Sequence, residues 1–551
     1  MANNSLFRRK PLSKILQEGG DGAHGETGGL AKTLKLRDLV SMGIAAVIGA
    51  GIFSTIGSAA YNGGPGVVFL FVIAAVTCGF TALCYAEFAS RVPVAGSAYT
   101  YSYVTFGELA AWIIGWALIL EYAIGNIVVA ISWSSYFNNL LRGLGIHLPE
   151  WMATDSGTAH ALYNTAVSEG KPTDGMAWTT APTIGDFHLI FNLPAFIIVV
   201  LVTMLVYIGI KESKKWANAM VVFKLAVLLI VIVAGFFYVK PENWNPFLPN
   251  GFKGVMMGVS AVFYAYIGFD AISTTAEECE NPQRDLPRGM IYALLLCTAI
   301  YVLTALVITG MVSYKEFLGV SDPLAYVFEK TGLTQLNYII SISAVVATTS
   351  VLLVFQIGQP RIWMTMSRDG LLPKSFSKVH PKFQTPSFAT IVTGILVAVP
   401  ALFMDAALMT DLTSIGTLFA FVLVCGGVLL LPNEEKQVGK FKLPYINGQF
   451  LIPAIFIAFL YTFHERIISA FANIGNQPHQ EYLLLIFLGI ATVMTIYTLL
   501  KKWSFIPVMG VLFCTYLMIE IPVKSWFVFF GWMGVGLLIY FTYSLKNSKL
   551  A

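Results

Sequence analysis

Two stretches decide the reading of this chain: GIAAVIGAGIF at residues 43–53 and VFYAYIGFDA at residues 262–271. Both are apolar runs of the kind that cross membranes, and both are interrupted at glycine. The first breaks at Gly49, Ala50 and Gly51, the second from Ala265 to Gly268. In hydrocarbon a helix must satisfy its own backbone N–H and C=O groups. An unwound stretch survives there only where protein buries it or where it lines a cavity. Breaks in corresponding positions of two halves point to the binding site of a transporter. A broken helix offers N–H groups at the start of its second half, which attract anions, and C=O groups at the end of its first, which attract cations. A ligand with a carboxylate beside an ammonium, as in an α-amino acid, matches such a pair of ends. The competing reading of Gly49 and Gly51 is a small-residue packing seam between helices. The second break, with Asp270 close behind Gly268, weighs against it.

Composition agrees. The chain has 551 residues, 56% of them hydrophobic and only 12% charged, with a mean hydropathy of +0.72. A soluble protein carries about 25% charged residues, so this is an integral membrane protein over most of its length. A net charge of +4, spread along the chain, gives no basis for nucleic-acid binding. The cysteines, Cys78, Cys84, Cys279, Cys297, Cys425 and Cys514, form no C-x-x-C or Cys/His pattern, so neither a disulfide nor a metal site is expected. Phosphate-loop, G-x-S-x-G and kinase patterns are absent, and no cofactor or enzymatic activity is expected. Residues 1–30 lack the apolar core of a signal peptide and carry Arg8, Arg9, Lys10 and Lys14. They read as a disordered or surface-lying cytoplasmic tail, with residues 1–35 preceding the membrane part.

A span needs about 20 apolar residues. Fourteen stretches qualify: 39–61, 66–90, 108–137, 187–210, 217–239, 252–276, 289–313, 336–358, 385–404, 408–432, 449–464, 482–500, 504–520 and 525–544. With the N-terminus inside, cytoplasmic segments hold 25 of the 34 Lys and Arg, as the positive-inside rule expects. Both termini then lie in the cytoplasm. The polar segment 138–186 reads as an external loop. Spans 1–5 and 6–10, within residues 36–432, repeat one layout, each half opening with a broken helix. Residues 433–551 carry four further helices outside that pattern and a short tail.

Three ionisable residues stand out. Lys224 lies eight residues into span 5, about 12 Å along the helix. An intramembrane charge is costly and marks function by default; the alternative is snorkelling to the interface. It suits a proton carrier or a fixed cation in place of sodium. Glu121, mid-span in helix 3, reads as a pocket-lining or proton-linked acid, or as a structural carboxylate. Asp270 reads as a gate residue or a cap of the half-helix.

The chain resembles the amino acid–polyamine–organocation superfamily, and within it the cationic amino acid transporter family and its bacterial relatives. The resemblance covers nearly everything after residue 30. It rests on GIAAVIGAGIF, YAEFASRVPVAGSAYTY (85–101), FYAYIGFDAISTTAEECENPQRDLPRGM (263–290) and QPRIWMTMSRDGLLP (359–373). It implies an all-α membrane protein with the leucine-transporter fold, two inverted five-helix repeats around a midplane site, and fourteen helices as in the animal members. By resemblance, the backbone amides of Ile48, Gly49, Ala50, Gly51 and Ile52 hold the substrate carboxylate. The carbonyls of Tyr264, Ala265 and Ile267 take the ammonium. Lys224 matches the helix 5 lysine near the sodium position of sodium-coupled relatives, within reach of Thr348, Thr349 or Ser350. Glu121 matches an acidic position on helix 3. Phe355 stands at the helix 8 position that lines the side-chain pocket, and its bulk argues against long cationic substrates.

The function expected is secondary active, proton-coupled transport of L-amino acids by alternating access, in a plasma or bacterial inner membrane. Substrate, protons and lipids are the partners; a monomer and a complex with a small membrane subunit both remain open. The alternatives are an uncoupled exchanger, a polyamine or amine transporter, and a transporter-like sensor. The sensor lacks a long cytoplasmic extension, since loops 211–216 and 433–448 are short.

Overall fold

The computed structural model describes residues 8–10, 34–91, 97–209, 214–270, 272–273, 279–430, 441–472 and 480–550. The architecture is almost wholly helical. The one sheet among the described residues is a hairpin, Thr183–Ile184 with Phe187–His188, in the loop after the third span.

The first span is two pieces. Helix α1 (Leu36–Val47) ends where Ile48 turns extended, with φ −79° and ψ 95°. The chain resumes as a π-helical turn, Gly51–Thr55, and runs into α2 (Ile56–Gly63). Gly64, at φ 61°, turns it into α3 (Val67–Arg91). A short helix, α4 (Ser97–Thr105), leads to α5 (Glu108–Gly143), which starts at Gly107 with φ 98°. Helix α6 (Leu193–Ile208) is capped by Asn192, whose carbonyl oxygen accepts from the Ala195 amide at 3.2 Å and from Ser134 Oγ at 2.6 Å. Helix α7 (Lys214–Phe236) follows. The second broken span is α8 (Gly251–Met256) and α9 (Val259–Tyr264), ending in turns from Ala265. Then come α10 (Pro282–Met311), the short α11 (Pro323–Lys330), α12 (Thr334–Arg368), α13 (Ser387–Phe403) and α14 (Ala406–Leu430). The last helices are α15 (Leu451–Thr462), α16 (His464–Ala472), α17 (Gln480–Lys501), α18 (Phe505–Ile519) and α19 (Val523–Ile539).

Each of the fourteen expected spans coincides with helix, but length and apolarity alone select eight, or nine if α15 and α16, bent by 68°, count as one. The other five fall short for physical reasons. Spans 1 and 6 are broken, and α6, α13 and α18 have 16, 17 and 15 residues, just under the ~20 that cross a bilayer untilted. Boundaries also shift. Helix α5 runs to Gly143 rather than 137, and α6 starts at Leu193 rather than 187. The loop between them holds a helix, Ser156–Ser168, capped by Asp155.

Helix α5 is the central post: 94% of its most apolar stretch is buried, against 28% for α17. Helices α18 and α19 belong to the same core. Trp532 of α19 stacks on Trp116 of α5 with ring centroids 4.6 Å apart, and each indole donates to the other residue's carbonyl. Trp112 Nε1 donates to Gly536 O at 2.9 Å. Stacked aromatic pairs contribute about 0.5–1.5 kcal/mol beyond their buried area. Helices α15 to α17 instead form a satellite cluster around Phe487 and Leu484, which α18 joins to the core.

Both chain ends meet on one face. Lys10 is buried and paired with Asp369 at 2.8 Å. Arg8 Nη1 donates to Leu550 O at 2.8 Å. Glu108 accepts from Tyr103, Tyr540 and Ser548. Residues 8–10 are thus packed against the bundle, which corrects the disordered alternative for these three residues; the remainder of 1–33 lies outside the described residues. The buried carboxylate of Glu108 lies 3.8 Å from Arg8, and the part-buried one of Asp369 is paired with Lys10, as burial of charge requires.

Candidate functional site

The two breaks face each other. A Cβ built on Gly51 would lie 2.3 Å from Ala265 Cα and 2.6 Å from its Cβ. Gly268, at φ 112°, packs on Ala46 so closely that a Cβ would meet its carbonyl oxygen at 3.0 Å. Only glycine fits at either place, and at Gly268 the backbone conformation demands it as well. Gly51, which reads as a substrate contact, is therefore also what lets the two unwound segments touch.

Side chains from three other elements fasten them. Tyr301 Oη of α10 is 2.9 Å from Val47 O and 2.8 Å from Ala265 O, so one hydroxyl spans both breaks. Lys224 Nζ donates to Ala45 O and Ile48 O, both at 2.9 Å, and is buried. The ammonium sits on the carbonyl end of α1, the end that favours a cation. It does not use Thr348, Thr349 or Ser350: these hydroxyls donate to carbonyls of their own helix. The expected reach to helix 8 is corrected accordingly. An ammonium that needs acceptors finds the unpaired carbonyls of a helix end better than hydroxyls already engaged. Thr55 Oγ1 lies 2.9 Å from Gly51 O and 2.8 Å from Ala261 O, a second tie between the halves.

Between the breaks lies a narrow cavity of about 10 Å³, lined by Ala46, Val47, Gly49, Ala50, Gly51, Val129, Tyr264, Ile267, Val351 and Phe355. Among the described residues, no charged side chain lines it. The first amides of a helix have no partner within that helix, and those at the start of the second half border this space. Ile48 and Ile52 are buried without lining the cavity, and Ala265 is taken up by its contact with Gly51. Phe355 does line it, packed edge-on against Tyr122 with centroids 5.3 Å apart. Val129 and Val351 were not singled out from sequence. Each stands a multiple of four residues from one that was: Val129 from Glu121, Val351 from Phe355. That spacing keeps residues on one helix face. Tyr301 had no such signal.

Glu121 does not line the cavity. It is buried against Gly416 and Thr417 of α14, with Oε2 unpartnered among the described residues. Asp270, also buried, feels its charge. Tyr85, Phe269 and Phe421 form an aromatic layer on this side, with centroids 5.3 to 6.3 Å apart. Asp270 thus interacts with Glu121, mid-way along α5, and Lys224 stands apart at the first break.

The sequence that builds these breaks has counterparts among known proteins. The sequence profile of the amino acid permease family matches residues 34–496, and a profile for the C-terminus of these permeases matches 504–548. The chain belongs to the amino acid permease family, in the amino acid–polyamine–organocation superfamily. It is 39% identical over 549 residues to the branched-chain amino acid permease BcaP of Bacillus subtilis (strain 168), covering 99% of both chains. The methylthioribose transporter of the same organism is 37% identical over 549 residues, again with 99% of both covered. Cationic amino acid transporter 4, vacuolar, of Arabidopsis thaliana is 37% identical over 435 residues, 78% of this chain and 67% of the relative. This permease is thus a multi-pass membrane protein of a transporter family, as its composition required.

Proposed function

We propose that this permease is a proton-coupled secondary transporter of small and medium neutral L-amino acids, working by alternating access in the cell membrane with both termini cytoplasmic. The observation that carries the substrate class is the lining of this narrow cavity: backbone from two helix breaks on one side, Val129, Val351 and Phe355 on the other, and, among the described residues, no carboxylate to meet a cationic side chain. Backbone amides and carbonyls suit the α-carboxylate and α-ammonium; the apolar wall suits an aliphatic side chain. The name of the branched-chain permease relative is in keeping with this choice. The fourteen-helix count with two inverted five-helix repeats forms part of the reading, supported by helix at every expected span and by the paired breaks.

Lys224 is the proton-coupling residue in this reading. Its ammonium holds two carbonyls at the end of α1, and α1 must move relative to α7 if the site opens to alternate sides. A proton lost from Lys224 would release those carbonyls, so protonation and the arrangement of the first break are linked. Asp270 is the gate residue in this reading.

The test is uptake by the purified protein in liposomes. Labelled leucine should accumulate when the outside is acid and only equilibrate without a pH gradient. Unlabelled isoleucine or valine should compete; arginine and methylthioribose should not. Equal uptake with and without the gradient would remove proton coupling, and competition by arginine would overturn the substrate class.

A further inference from the structure

Helices α5 and α12 are joined by polar ties at three levels. On α5 these fall at Ile119, Asn126 and Trp133, seven residues apart, a spacing that keeps them along one seam. On α12 they are met in reverse order by Gln359, Gln356 and Thr349. Gln359 Nε2 donates to Ile119 O at 3.1 Å, and Trp133 Nε1 donates to Thr349 Oγ1 at 3.0 Å. The middle level consists of two amide side chains, both buried. Asn126 Nδ2 donates to Gln356 Oε1 at 2.7 Å, and Gln356 Nε2 donates to Thr203 Oγ1 of α6 at 2.6 Å. The far end fixes the sense of this chain. Thr203 has one hydroxyl proton, and it goes to Val199 O at 2.7 Å. Thr203 Oγ1 must therefore accept from Gln356. The Gln356 NH2 then points to α6, and its oxygen is left for the Asn126 NH2. Thr203 is itself held in place: a Cβ on Gly394 of α13 would lie 2.8 Å from its Oγ1.

The chain neighbours of this middle level reach the cavity. Phe355, beside Gln356, lines it. Gly125, beside Asn126, lies behind the ring: a Cβ there would be 3.3 Å from Phe355 Cε2. Gly125 O also accepts from the hydroxyl of Tyr264, another cavity residue, at 3.0 Å. Gln356 is gripped from α5 on one side and from α6 on the other. That double grip fixes the rotation of α12 about its axis, one residue from Phe355. We propose that Asn126, Gln356 and Thr203 are positioning residues for substrate selectivity: they hold α12 so that the Phe355 ring closes the side-chain end of the cavity. None of the three lines the cavity, so they act through the ring. Directional hydrogen bonds between helices admit a narrow range of rotation, whereas apolar side chains of similar volume repack. The inference rests on the reading of this cavity as the substrate site.

The test is competition against labelled leucine bound to the purified full-length protein, read as the ratio of inhibition constants for phenylalanine and valine, with thermal unfolding recorded on the same samples. Thr203→Val replaces the hydroxyl by a methyl of the same shape on a helix away from the cavity, so the fold should be kept. It should shift the ratio toward phenylalanine by at least about twofold, the lower end of what residues in one hydrogen-bonded network contribute. Gln356→Leu should shift it further, and Thr203→Ser, which keeps the hydroxyl, should match the wild type. In a Phe355→Ser background, Thr203→Val should leave the ratio where Phe355→Ser alone puts it. A merely structural role would lower the unfolding temperature and weaken both competitors alike, and that result would overturn the proposal. So would a Thr203→Ser shift equal to that of Thr203→Val, or a further shift in the Phe355→Ser background. A ratio moved by Phe355→Ser but by neither Thr203→Val nor Gln356→Leu would overturn the proposal alone. Absent leucine binding in the wild type, or a ratio unmoved by Phe355→Ser, would overturn the reading of the cavity and the proposal with it.

Discussion

Gly51→Ala adds one carbon where two unwound segments touch. That carbon would lie 2.3 Å from Ala265 Cα, 2.6 Å from its Cβ and 3.0 Å from its N. Two of these neighbours are backbone, so no side chain can swing aside. Ordinary carbon contacts begin near 3.5 Å, so the second break must retreat by about 1 Å. Overpacking of this kind costs about 1–3 kcal/mol. The strain acts on the pair of segments that form the cavity, so it should appear as lost affinity, roughly 5- to 150-fold in Kd at 1.4 kcal/mol per factor of ten. The assay is leucine binding to purified protein by scintillation proximity, with thermal unfolding recorded on the same samples. Gly79→Ala is the control, because its nearest contact would be Leu294 Cδ2 at 4.0 Å. Ala265→Gly placed in the Gly51→Ala background should restore only part of the affinity, since it removes the 2.6 Å contact and leaves the 2.3 Å one. An unchanged Kd in Gly51→Ala, with unaltered unfolding, would refute the apposition of the two breaks and with it the placement of the site.

Three further outcomes follow from the same geometry. Tyr301→Phe deletes the hydroxyl shared by Val47 O and Ala265 O; leaving buried carbonyls without a donor costs about 1–3 kcal/mol, so leucine affinity and the melting temperature should both fall, and an unchanged Kd would rule out a role in spacing the breaks. Phe355→Ser should widen the substrate range toward long side chains, read as arginine competition in uptake, and an unchanged range would mean that the ring does not meet the ligand. Lys224→Ala should abolish accumulation driven by a pH gradient while leucine still binds, because the breaks supply its contacts; undiminished accumulation would move the coupling role to Glu121 and Asp270.

The helical membrane architecture and the position of both breaks were legible in the chain, because the physics behind them is local. A backbone in hydrocarbon must be helical or buried, and glycine is where it departs from helix. The unwound residues run from Ile48 and from Ala265, within a residue or two of the sequence reading. Lys224 was legible for the same reason, as a charge in an apolar run, whereas Phe355 was placed by the resemblance and not by a local rule. Span lengths were less legible where a helix is short, as at α6, α13 and α18, or where it continues past the apolar run, as α5 does to Gly143.

Contacts between segments distant in the chain were not legible, and these decide the chemistry. Nothing near Tyr301 in sequence says that its hydroxyl reaches two carbonyls 254 and 36 residues away. Nothing near Lys224 says that its ammonium caps α1 rather than meeting helix 8. The last four spans read alike from composition, yet α18 and α19 join the core while α15 to α17 stand aside; for α19 the difference is made by Trp532 finding Trp116. Local rules act along a few turns of one helix and are written in residue spacing. The partner of a buried hydroxyl, ammonium or indole is set by which helices pack together, and that is a property of the whole bundle.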